Sequence, residues 1–130
     1  MGSHADNARV VLATIRLVNG LAALLAPRQM ARRFGVDPDE QPALVYLLRL
    51  FGIRTFALGL ALLAPDQEVR TRELRRAPLL HASDALVALI AGVRHQLPAR
   101  AALMTVTTSA VNTCLALIAQ RSRHQPPGAV

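Results

Sequence analysis

A-P-L-L-H-A-S-D-A-L-V-A-L-I-A-G-V, residues Ala77 to Val93, has the composition of an apolar helix with two ionisable side chains set into it, His81 and Asp84. The helical period places them at i and i+3 on one face, and Ala77, Ala88 and Gly92 continue the same stripe. A carboxylate in that stripe must face an interior, because an ionised Asp turned to lipid or to a dry core is strongly unfavourable. It needs a cation, a hydrogen-bond network or water. The candidate cations are arginines on other helices.

Those helices are legible on both sides of the stretch. A first helix is expected from about Ala5 to Ala26, with Asp6 or Asn7 as its cap. It is apolar except for Arg16 and Asn19, again at i and i+3, and Gly20 leaves room beside them for a neighbouring backbone. Pro27 interrupts it. Residues Arg28 to Gly35 then form a short amphipathic turn lying across an end of the bundle, and the acidic turn Asp37 to Glu40 suits the start of the next helix by capping and dipole. The second long helix runs from about Gln41 to Ala64. It carries Arg49, in line with Gly52, Phe56 and Gly59, and Arg54, about 140° away around the axis. The polar run Pro65 to Arg76 reads as a surface helix or an extension of the third, which begins near Pro78 and ends near Gln96. A fourth helix spans about Pro98 to Ser122. Its Ala101 to Gln120 stretch bears no charge, is long enough to cross a bilayer, and sets Thr105, Thr108 and Asn112 on one face.

The expectation is a single all-α domain over residues 5–122, a transmembrane four-helix bundle with its polar stripes turned inward. Met1 to His4 read as a tag remnant, and residues 123–130 as a disordered tail. A soluble bundle would need broad polar outer faces, and the helices here are apolar around much of their circumference. With both termini on one side, seven arginines lie on that side and five on the other, a slight excess in favour of cytoplasmic termini and of an inner or plasma membrane location.

Composition narrows the partners. The net charge of +7 comes from arginines gathered mainly at the ends of apolar runs, which suits anionic lipid headgroups. Nucleic acid is not expected, because only 3% of residues are aromatic and no basic stripe is interleaved with them. Cys114 stands alone, so no intrachain disulfide forms, and it reads as a small buried hydrophobe. No metal or other cofactor is expected, since His81 has no second histidine or carboxylate at i+4.

The runs A-P-R-Q-M-A-R-R-F-G-V (26–36), R-L-F-G-I-R-T-F-A-L-G (49–59) and H-A-S-D-A-L (81–86) resemble small four-span membrane proteins of unknown function common in actinobacteria. The similarity extends over about Arg9 to Ala119. It implies the fold and carries no activity.

The functional expectation is therefore a polar pocket inside the membrane for a lipophilic small molecule. Asp84 is the candidate acid or base with His81 as a proton relay, and Arg16, Asn19, Arg49, Arg54 and Asn112 are the candidate ligand-binding residues. An acid–base pair without a nucleophile or metal suits isomerisation or cyclisation better than hydrolysis. The competing expectations are a structural ion pair between Asp84 and an arginine, and a transport, accessory or structural protein whose polar stripes join helices or further copies of the chain.

Overall fold

The structure, a computed structural model, describes residues 3–121. It is all-α, with no strand among the described residues: α1 (Ser3–Leu25), α2 (Pro27–Arg33), α3 (Pro42–Leu63), α4 (Gln67–Val93) and α5 (Ala99–Arg121). The four long helices form the bundle expected. The segment after Pro27 is a helix of its own rather than a turn, started by Pro27 and ended by Gly35 in the left-handed region, where Val36 N–H reaches back to the Ala31 carbonyl. The helix α1 begins at Ser3, so Asp6 lies in its first turn instead of capping it. The tail at 123–130 lies outside the described residues.

At the next two helix starts one sequence expectation fails and one pair of alternatives is decided, each for a physical reason. The acidic turn does not cap α3: the Asp37 carboxylate accepts from the Asp39 backbone N–H, Asp39 pairs with Arg28 of α2, and no side chain caps Gln41. The run from Pro65 to Arg76 is an extension of the third helix, one of the two forms expected for it, so that α4 begins at Gln67, capped by the Asp66 carboxylate at 2.7 Å from the Glu68 backbone nitrogen. It then passes through Pro78 without stopping. A proline inside a helix leaves the carbonyl four residues back without a donor. That carbonyl belongs to Leu74, and the Gln120 side chain of α5 donates to it. The interior proline is tolerated because the neighbouring helix replaces the missing bond.

Packing follows the small residues. A methyl group added at Gly52 would meet Leu24 N at 2.6 Å and the Gly20 carbonyl at 2.7 Å, and one at Gly20 would meet Phe56 N at 2.5 Å. Backbone therefore lies against backbone where α1 crosses α3, a contact open only to glycine. The helix α4 packs on α5, α1 also packs on α5, and α3 touches α4 only lightly.

The bundle has two unlike halves. Towards the chain termini, Ala8, Leu12, Ala13, Leu62, Leu74, Ala77, Ala116 and Ala119 form a closed apolar core. Arginines tie the carbonyls at the end of α3 in this half: Arg9 Nη1 donates to Leu62 O at 2.7 Å, and Arg70 Nη1 to Pro65 O at 2.7 Å. The other half, bounded by α2 and by the turn between α4 and α5, is open inside. Outside, all four long helices present apolar side chains, with Leu25 72%, Leu79 75% and Val93 72% exposed. Each is long and apolar enough to cross a membrane, and no more than about a third of each such stretch is buried within the protein. Cys114, expected in the core, is on this outer surface.

Two substitutions test this packing. Gly52→Val should lower stability by about 1–3 kcal/mol or prevent assembly, since the added atoms meet backbone that has no rotamer to move. Gln120→Leu keeps the volume and leaves the Leu74 carbonyl unpaired, at a cost of about 1–3 kcal/mol. Thermal unfolding of detergent-solubilised protein reads both, and an unchanged midpoint in either would contradict the contact assigned to it.

Candidate functional site

At the boundary between the two halves sits Arg16, whose side chain is 1% exposed. Its Nη1 lies 2.6 Å from Glu73 Oε1, while Nε and Nη2 approach Nε2 of His81 at 3.2 and 2.9 Å. Nη1 also faces the Leu58 carbonyl at 3.4 Å. Arginine offers donors only, so Nε2 of His81 is the accepting nitrogen, and the imidazole is neutral with its proton on Nδ1. One guanidinium thus joins α1, α3 and α4 at a level where every surrounding helix is apolar. Glu73 neutralises its charge and His81 takes the rest of its donor fork.

Glu73 escaped the sequence reading, which left it in the polar connection before Pro78. The signal was present. Carried back one turn from Ala77, the stripe of His81 and Asp84 lands on Glu73, so that 73, 77, 81, 84 and 88 share one face of α4. Only the expectation of a helix start at Pro78 hid it.

Above this cluster opens a cavity of about 770 Å³ among all five helices. Six of the seven candidate site residues line it: Arg16, Asn19, Arg54, His81, Asp84 and Asn112. Thr105 and Thr108, the rest of the expected stripe on α5, line it too, and Phe51, Leu80, Val87 and Met104 supply apolar wall. Arg49 does not belong. It is exposed, one turn before Gly52 on α3, and Gly52 already packs against Leu24 at the end of α1. Arg49 therefore emerges past the end of that helix instead of entering the bundle.

The pairing inside the cavity also differs from expectation. Asp84 makes no ion pair or hydrogen bond among the described residues, because Arg16 is held by Glu73. His81, expected to relay protons beside Asp84, turns Nε2 to Arg16 instead. Arg54 and Asn19 likewise have no polar partner, and Asn112, 5% exposed, holds Oδ1 buried with none. The cavity thus contains one bound arginine at its floor and a set of free polar groups above it. Of these four, Arg54 is exposed, Asp84 and Asn19 are half-buried and Asn112 is buried, and a free buried polar group such as the Asn112 oxygen is costly unless something bonds it.

The family described as a domain of unknown function (DUF4267) matches residues 13–122, which include every residue lining the cavity. The chain belongs to the DUF4267 family. Neither a curated protein nor a solved structure matches it. In this DUF4267 chain the floor cluster and the cavity together make the candidate site.

The floor has its own test. Glu73→Gln leaves Arg16 buried with its charge uncompensated and should cost about 3–5 kcal/mol, whereas the double replacement Arg16→Met with Glu73→Leu should recover most of that loss. Unfolding midpoints of the three proteins decide the matter: a double variant as unstable as the single would mean that the ion pair does not act as a unit.

Proposed function

We propose that this protein is an integral membrane protein, of an inner or plasma membrane, whose cavity binds a lipophilic small molecule with a polar group. The observation that carries the reading is the pair of unpartnered opposite charges, Asp84 on α4 and Arg54 on α3, lining one cavity with apolar walls. Pockets for small molecules are mostly apolar, with a few polar groups that fix orientation, and a volume of about 770 Å³ is within their usual range. Lipid around the helices supplies the solvent that their apolar outer faces require.

Within that pocket Asp84 is the group to exchange a proton with the bound molecule, as an isomerisation or cyclisation would need. Among the described residues it is the one carboxylate lining the cavity, and no arginine pairs with it. His81 and Glu73 act beneath it by fixing Arg16. A transport path across the bundle is disfavoured by the apolar core between the Arg16 cluster and the termini, which offers a solute no polar route.

The test is Asp84→Asn, which keeps the shape and removes the charge. We expect wild-type protein to require detergent and to carry a lipophile that organic extraction and mass spectrometry detect in stoichiometric amount. The variant should fold with nearly the same midpoint, since a cavity lets water reach what Asp84 faced, and should carry about tenfold less, the worth of one charge-assisted bond. Equal loading of both proteins, or a monodisperse wild type in plain buffer, would overturn the reading.

A further inference from the structure

The free charges lining the cavity are unequal in number, and that inequality restricts what it can hold. Among the described residues four charged ones line it: Arg16, Arg33, Arg54 and Asp84. Arg16 is neutralised by Glu73, which leaves two free cations against one anion. Arg33 belongs to the last turn of α2 and has no polar partner among the described residues, while its neighbour Arg28 is engaged by Asp39. Phe34, just past α2, and Leu97, in the turn between α4 and α5, line the cavity at that end of the bundle. At 1.5 Å per residue Asp84 stands about 13 Å along α4 from its end there and Arg54 about 18 Å along α3 from its start there, so these two opposite charges are at similar depth and Arg33 is the cation left over at the end. The acceptors far from that end are the Asp84 carboxylate and Asn112 Oδ1, which is buried without a partner.

We infer that the ligand is an anionic amphiphile, its acidic head held by Arg33 at the α2 end of the cavity and a hydroxyl or amine on its apolar body donating to Asp84 and Asn112. This rests on the pocket reading above and adds to it the chemical class of the ligand. A guanidinium among apolar helices favours an anion strongly, and its fork suits a carboxylate or a phosphate. A buried amide oxygen selects a ligand with a donor over its hydrocarbon analogue, because the analogue leaves that oxygen unpaired. The apolar side chains between the two polar levels suit a hydrocarbon segment.

The experiment titrates the full chain in detergent with three probes, reading bound molecules by native mass spectrometry. The probes are hydroxystearate with a mid-chain hydroxyl, stearate, which lacks the hydroxyl, and the matching diol, which lacks the charge. We expect hydroxystearate to bind about tenfold more tightly than either of the others, one charge-assisted or buried hydrogen bond each. Arg33→Gln should abolish the preference over the diol, and Asn112→Leu the preference over stearate. The wild-type series alone decides the inference if either variant fails to fold. Equal binding of all three probes overturns it. The cavity-filling variant Ala22→Phe separates this failure from failure of the pocket itself. If it loses all three equally bound probes, the pocket stands and only the ligand class falls. If it binds them as wild type does, both fall.

Discussion

A buried arginine among apolar helices is the constraint on which the rest of this structure depends. The Arg16 side chain is 1% exposed, so its charge is met where it stands, and the partner is Glu73, from a stretch of α4 that is otherwise polar and surface-like. Meeting it requires α4 to be one continuous helix, so that Glu73 and His81 fall on the same face two turns apart. That in turn requires Pro78 to be accommodated mid-helix, which Gln120 does by donating to the Leu74 carbonyl. A single electrostatic requirement thus sets the length of α4 and its register against α1 and α5.

The same cluster divides the bundle. Below it, alanines and leucines close into an apolar core. Above it, α3 touches α4 only lightly, and unpaired polar side chains face the cavity among apolar ones. Close backbone contact at Gly20 and Gly52 holds α1 on α3 and keeps the opening on the other side, towards α4 and α5. The cavity thus lies between a closely packed α1–α3 pair, which carries Asn19 and Arg54, and the α4–α5 pair, which carries Asp84 and Asn112.

Much of this was legible in the chain itself. Length, an uncharged run from Ala101 to Gln120, and arginines gathered at the ends of apolar stretches determined an all-α bundle with helices long and apolar enough to span a membrane, because period and composition are local properties. The polar stripes were also local: Arg16 with Asn19, His81 with Asp84, and Thr105, Thr108 and Asn112 all line one cavity. Glu73 could have been added by carrying the stripe of α4 back one turn.

Pairing across helices was decided only by the tertiary structure. Asp84 and Glu73 share a face of α4, and nothing in the sequence says which of them Arg16 reaches, since that depends on the axial offset of α1 against α4 and differs by the rise of several turns. Arg49 and Arg54 looked equally able to enter the bundle. Where α1 ends relative to Gly52 excluded the first and admitted the second. Pro78 signals a helix start locally, and only a donor from another helix, Gln120, makes it an interior residue. The sequence by itself thus determined which residues are polar and on which face of their own helix. The offsets between helices, set by glycine contacts and one buried ion pair, determined which of them meet.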